Sequence, residues 1–149
     1  MSLKLFNIRT YGILINENKE ILISDELYHG QLFSKFPGGG LELGESIPDA
    51  IRREFVEECK LKIEEIELLY VTNTVVHSVF NDSQVIGVYY QVFTNDKLEM
   101  PIKTRAFDFD EGSEQSFRWI SLQDFSTQYL TFEMDQHAWK AIEYKIIHK

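Results

Sequence analysis

The order of patterned segments predicts an α+β fold, an α/β/α sandwich in which a mixed β-sheet packs between helices. Two observations carry this expectation. Stretches rich in β-formers precede one strongly marked helix, and further strand-like stretches then lead to a second helix at the end of the chain. Between them lies no repeat, low-complexity tract or Pro/Gly/Ser linker, so residues 1–149 are expected to form a single domain. A chain of 149 residues, 44% hydrophobic and 26% charged, is long enough to bury about two thirds of its unfolded surface.

Leu5 to Ile15 and Ile21 to Ile23 flank the polar run Asn16 to Glu20 and read as a hairpin with a five-residue turn. Arg9 and Tyr11 are candidates to line a site from the first of these strands, with exposed strand residues as the plainer reading. Ser24 to Lys35 is mixed in character and reads as loop, with Phe33 and Phe36 as aromatic anchors. After the first helix, Ile66 to Val76 and Val85 to Thr94 read as strands joined through the turn-formers Asn81, Asp82 and Ser83. His77 is a candidate substrate or proton-transfer contact, with a polar strand-end histidine as the plainer reading. Asn95 to Ser116 is polar and acidic without a period, and a loop of this length is more often functional than idle. Phe117 to Ile120 reads as a short strand. Glu133 to His148 reads as the closing helix, with Met134, Ala138, Ala141, Ile142 and Lys145 near one face and Trp139 and Tyr144 elsewhere.

The central segment, PGGGLELGESIPDAIRREFVEECKL from Pro37 to Leu61, carries the chemistry. Ser46 is a good N-cap, Pro48 suits a first turn that needs no amide proton, and Asp49 places negative charge at the positive helix end. These signals predict a helix from Ile47 to Cys59. At about 100° per residue, Glu54, Glu57 and Glu58 share one arc, with Ile51 and Phe55 beside it. Glu54 and Glu58 are like charges four apart, which is unfavourable in an isolated helix. A hard divalent cation with oxygen ligands would offset them, and the Gly38–Gly39–Gly40 turn leaves backbone carbonyls and amides open to a metal or a phosphate.

Gly39, Glu45, Arg53, Glu54, Phe55, Glu57, Glu58 and Leu61 reproduce the spacing of the Nudix box, G-x5-E-x7-R-E-U-x-E-E-x-G-U, at eight of its nine fixed positions. The chain therefore resembles Nudix hydrolases, and most closely the compact MutT-like group. The departure is Lys60, where the family has glycine at the helix exit. Either a lysine in a left-handed cap costs on the order of 1 kcal/mol here, or the helix ends differently.

The resemblance implies a Nudix-type sandwich and Mg²⁺-dependent hydrolysis, with Mn²⁺ as the alternative ion, of the pyrophosphate bond in a nucleoside diphosphate linked to another group. A small nucleotide such as a (d)NTP is the expected substrate. It assigns Glu54, Glu57 and Glu58 to metal binding, with the Gly39 carbonyl as a further ligand, and leaves open whether Glu54 or Glu57 positions or deprotonates water. Glu45 and Arg53 look like an ion pair that fixes the loop against the helix. Gly38, Gly40, Phe36 and Arg9 are the expected substrate contacts, Phe36 against substrate or core, and Glu111 or Glu114 is the candidate acid from the long loop. The alternative is a non-hydrolytic nucleotide sensor on the same domain, which would commonly lose the carboxylates that are all present here.

A net charge of −9 argues against a protein that grips long nucleic acid through its phosphates. The most apolar run, Val85 to Phe93, is too short to span a bilayer as a helix. One cysteine, Cys59, makes no internal disulfide, and with no signal-like N-terminus a cytoplasmic monomer or homodimer is expected.

Overall fold

The computed structural model describes residues 2–148. The strands are β1 (Leu5–Leu14), β2 (Glu20–Tyr28), β3 (Gln31–Lys35), β4 (Gly38–Gly40), β5 (Glu65–Val71), β6 (Ser83–Phe93) and β7 (Gln115–Ser121). The helices are α1 (Ile47–Cys59) between β4 and β5, and α2 (Glu133–Ile147) at the end, preceded by a single 3-10 turn at Thr127–Tyr129.

The α+β sandwich is the one expected, but its strands divide between two sheets. One is mixed, in the order β4-β1-β6-β5, with β1 parallel to β6 and the other pairs antiparallel; the second is antiparallel, in the order β3-β2-β7. The expected β1–β2 hairpin is therefore corrected. The two strands meet only at the Ile15–Ile21 bridge and then part into different sheets. Asn16 drives the divergence by folding its side chain back to accept from the Glu20 amide at 3.0 Å, which makes a tight turn instead of a continued ladder.

Side chains alternate along β1 between two cores. Tyr11 and Ile13 join Ile21, Ile23, Tyr89 and the buried face of α2, whereas Leu14 joins Val88, Val92 and the α1 residues Ile51, Phe55 and Cys59. The helices thus cover opposite faces, and β6 is buried on both, as its apolar run requires.

Three local expectations change. Ser24 to Lys35 is strand in most of its length, because His29 and Gly30, both at positive φ, close a two-residue hairpin between β2 and β3. The strand expected to reach Val76 stops at Val71, after a register shift between Leu68 and Tyr70. On α2 the buried stripe is Met134, Asp135, Ala138, Trp139, Ile142 and Ile146, so Trp139 is core while Ala141 and Lys145 are exposed. Burying the largest side chain rotates the helix toward Trp139.

At the exit of α1, Lys60 adopts φ 57° and ψ 32°, the left-handed conformation for which the family uses glycine. Its amide still donates to the Phe55 and Val56 carbonyls, so the helix ends as a glycine-capped helix would. Lys60→Gly is expected to stabilise the protein by about 0.5–1 kcal/mol in urea unfolding; a loss of stability would show that the lysine cap is not strained.

Asp135 is buried on α2, with Oδ1 accepting from the Tyr89 hydroxyl at 2.6 Å and Oδ2 without a partner. Burial pushes its carboxyl up from 3.8 to about 6. The folded state therefore holds this proton more tightly than the unfolded chain does. The resulting stability is full below pH 3.8 and is lost as pH rises through about 6. Asp135→Asn should gain about 3 kcal/mol on the wild type between pH 4 and 7. A difference that stays constant across that range in denaturant titrations would refute the shifted carboxyl.

Candidate active site

Ser46 caps α1 by accepting the Asp49 amide, and this fixes which residues of the helix face the sheet. The expected Gly38–Gly40 turn is instead the short strand β4, paired with β1 in the register Tyr11–Gly38, Thr10–Gly39 and Arg9–Gly40, and this pairing brings the glycines beneath the carboxylates. A Cβ on Gly39 would overlap the Glu54 carboxylate, and one on Gly38, at φ +150°, would overlap the Thr10 carbonyl. Only glycine allows this approach at either position.

Glu54 and Glu58 face inward. Glu54 is 12% exposed, and Glu58 Oε2 accepts from the Gly38 amide at 3.2 Å. Glu57, at 59% exposure, sits on the outer edge of the same arc. Arg53 holds the group together. Its Nε and Nη2 donate to the two oxygens of Glu45 at 2.9 and 2.6 Å, and Nη2 also donates to the Gly40 carbonyl at 3.0 Å. Its Nη1 donates to Glu54 at 3.0 Å and to Glu57 at 3.3 Å. The expected Glu45–Arg53 pair is thus present as a bidentate fork.

The electrostatics follow this geometry. Hydrogen bonds from Arg53, and then from the Glu42 amide, hold the Glu45 carboxyl down at about 2. Burial pushes Glu54 above the ordinary glutamate range despite the Arg53 hydrogen bond, and it does the same to Glu58 despite the Lys35 charge. Carboxylates held at some desolvation cost beside a cation suit a metal-binding role.

Among the described residues, no three His, Cys, Asp or Glu side chains close into a ready metal cage. The donor set nonetheless fits Mg²⁺, which prefers oxygen, keeps several waters, and uses one or two carboxylates together with substrate phosphates. The Gly39 cradle that admits Glu54 and the buried, unpartnered Thr10 hydroxyl on the neighbouring strand add polar groups around the same place.

Beside the carboxylates opens a cavity of about 810 Å³. Its polar end is formed by Arg9, Tyr11, Glu26 and Lys35, and its apolar end by Tyr28, Phe33, Phe80 and Phe132. The Phe33 ring lies tilted at 5.1 Å from Phe132 and 5.8 Å from Phe80, and Tyr28 meets Phe80 edge-on at 5.1 Å. Arg9 donates through Nε to the Tyr11 hydroxyl at 2.8 Å, and among the described residues no carboxylate pairs with its guanidinium.

Other expectations divide. Phe36 is fully buried between Tyr89, Phe125 and Trp139, and so supports the site from the core instead of touching a ligand. His77 bridges Gln84 at a strand end and also lines the cavity. Glu111 and Glu114 are exposed on the long loop, and the side chain that reaches the carboxylates from this region is the next residue, Gln115. Its Nε2 donates to Glu58 at 3.1 Å and to Ser24 at 2.9 Å.

Sequence reasoning missed Gln115, Glu26 and Lys35. A signal for two of them lay in Gly30, whose two-residue turn would have made strands of both flanks and set Ser24 and Glu26 on one face.

The NUDIX domain family matches this chain over residues 6–144. The chain belongs to the Nudix family. The family's enzyme class is pyrophosphohydrolase, acting on small nucleotide substrates with divalent cations. Solved structures with the same fold include a NUDIX hydrolase from Nitrosomonas europaea, 18% identical, TM-score 0.67, covering 94% of this chain and 90% of that one. MutT studied from Aliivibrio salmonicida and Vibrio cholerae is 22% identical, TM-score 0.65, covering 97% and 98%. A MutT NUDIX hydrolase from Burkholderia pseudomallei is 18% identical, TM-score 0.66, covering 93% and 98%. No helix among the described residues is long and apolar enough to cross a membrane.

Because a point-charge ammonium cannot reproduce the Arg53 fork, Arg53→Lys should lower turnover about 10–100-fold while leaving the fold intact. Wild-type turnover in that variant would reduce Arg53 to general charge balance.

Proposed function

We propose that this Nudix protein is an Mg²⁺-dependent hydrolase of small nucleotides, cleaving the pyrophosphate bond of a nucleoside diphosphate linked to a further group, with a (d)NTP as the favoured case. The observation that carries this reading is the continuity of two sites. Lys35, at the polar end of the cavity, donates to the Gly38 carbonyl while the Gly38 amide donates to Glu58 of α1, and the far end of the cavity is aromatic. A nucleotide has the same order of parts, from charged phosphates to a flat base. Aromatic walls stack on any base, at about 1–3 kcal/mol per stacked base, so they favour a nucleoside without selecting one.

Glu54, Glu57 and Glu58, with the Gly39 carbonyl, would hold Mg²⁺, which supplies charge stabilisation for attack of water at phosphorus. Glu54 is gripped and largely buried, whereas Glu57 is open to solvent, so Glu57 is the better placed of the two to orient or deprotonate water. Arg9, with no carboxylate partner, would take a phosphate oxygen through its free guanidinium edge. Gly38 and Gly40 shape the floor on which the diphosphate lies. Phe36 backs that floor from the core. Full retention of the box carboxylates favours hydrolysis over a sensor.

Two measurements test the assignment. Incubation with Mg²⁺ and a panel of dNTPs, nucleotide sugars, dinucleoside polyphosphates and NADH, with products separated chromatographically, should show a nucleoside monophosphate released from one class. No turnover of any of them would remove the hydrolase reading. Glu57→Gln keeps shape but removes charge, and it should cut kcat by about two orders of magnitude with little change in nucleotide affinity or in thermal unfolding in EDTA. An unchanged kcat would exclude Glu57 from the reaction.

A further inference from the structure

Lys35 is buried, at 4% exposure, at the junction of the carboxylate site and the cavity. An ammonium group has three protons to donate. Here all three have acceptors: Glu26 Oε2 at 2.9 Å, the Phe36 carbonyl at 3.3 Å and the Gly38 carbonyl at 3.2 Å. Burial alone would lower its pKa, but the charges of Glu26 and then Glu58 outweigh this and keep the ammonium ionised. With every donor engaged, this lysine is poorly placed to bind a phosphate and well placed to hold backbone. Arg9, which shares the Tyr11 ring with it at 5.9 Å against 5.6 Å, has the opposite character.

Gly38 is the residue it holds. The Gly38 amide donates to Glu58 at 3.2 Å while its carbonyl accepts from Lys35, so both peptide groups of one glycine are gripped by opposite charges. Glu26 completes the arrangement. Its Oε2 accepts from Lys35 and from Ser24 at 2.8 Å, and it lies 3.4 Å from Gln115 Nε2, which in turn donates to Glu58. The ring Lys35–Glu26–Gln115–Glu58–Gly38 closes through five side-chain or backbone groups drawn from β2, β3, β4, β7 and α1.

We propose that Lys35 is a positioning residue that locks the Gly38–Gly40 strand and the orientation of Glu58, setting the site for a divalent cation before any cation or nucleotide arrives. Lys35 lies outside the matched box and contributes through the strand it fixes.

The test uses the full chain without metal and then with Mn²⁺ as the probe. Removing Lys35 alone leaves the partly buried Glu26 charge unpaired, so the decisive variant is E26Q/K35M, which removes both charges and keeps the volume. Amide exchange at Gly38, Gly39 and Gly40, followed by NMR in EDTA, should accelerate at least about tenfold, while amides in the centre of β6 keep their protection. Mn²⁺ affinity by electron paramagnetic resonance should weaken about tenfold or more. E26Q alone, which retains the ammonium and its two carbonyl bonds, should keep the strand protected. Unchanged glycine exchange and Mn²⁺ affinity in E26Q/K35M would overturn the proposal. Should that variant lose cooperative unfolding, K35R decides by the same readings. A planar guanidinium cannot meet the three acceptors as an ammonium does, so a strand as protected as in the wild type overturns the proposal and a loosened one supports it. The exchange arm is read without metal or substrate, so its outcome is independent of whether nucleotides are hydrolysed.

Discussion

The site depends on one close approach, the backbone of Gly38 and Gly39 against the carboxylates of α1. Nothing larger than hydrogen fits at Gly39 without displacing Glu54, and Gly38 lies equally tight on the Thr10 carbonyl. Placing the glycine strand β4 this near α1 brings backbone carbonyls and amides against acidic side chains. It also concentrates negative charge in a partly desolvated place, which is unfavourable by itself. Two cations resolve this from opposite sides: Arg53 works along the outer surface of the helix, and Lys35 works from beneath the strand.

Those two cations are not equivalent. The Arg53 fork satisfies Glu45 with two parallel bonds and still reaches Glu54, Glu57 and the Gly40 carbonyl, so it fixes directions as well as charge. The Lys35 ammonium is compact enough to enter the core and meet two carbonyls and a carboxylate. Arg9 lines the cavity, and among the described residues no carboxylate pairs with its guanidinium.

Covering both sheet faces with helices is what lets these groups sit partly dry. α1 closes one core through Ile51, Phe55 and Cys59, and α2 closes the other through Trp139 and Ile142. The long loop before β7 is tied down by Lys103, which pairs with Asp110 and bridges to Arg118, and by Leu98, Met100 and Ile102 packed on the α1 core. It therefore delivers Gln115 to a defined place, while its own acids remain in solvent.

The sequence alone determined the helix from Ile47 to Cys59, its Ser46 cap and the shared arc of Glu54, Glu57 and Glu58. All of these follow from spacing along one helix or across its entry, where 3.6 residues per turn and local hydrogen bonding settle the geometry. Tertiary structure decided the rest. Whether β1 and β2 continue as a hairpin or part into two sheets, whether Trp139 turns inward, and whether Phe36 faces ligand or core depend on which surfaces meet in space. Glu26 and Lys35 lie on neighbouring strands joined by the turn at His29 and Gly30, but Gln115 joins their ring only because β2 also pairs with β7, far along the chain. A short-range pattern carries no information about such a pairing, since its energy comes from contacts formed only when the whole sheet assembles.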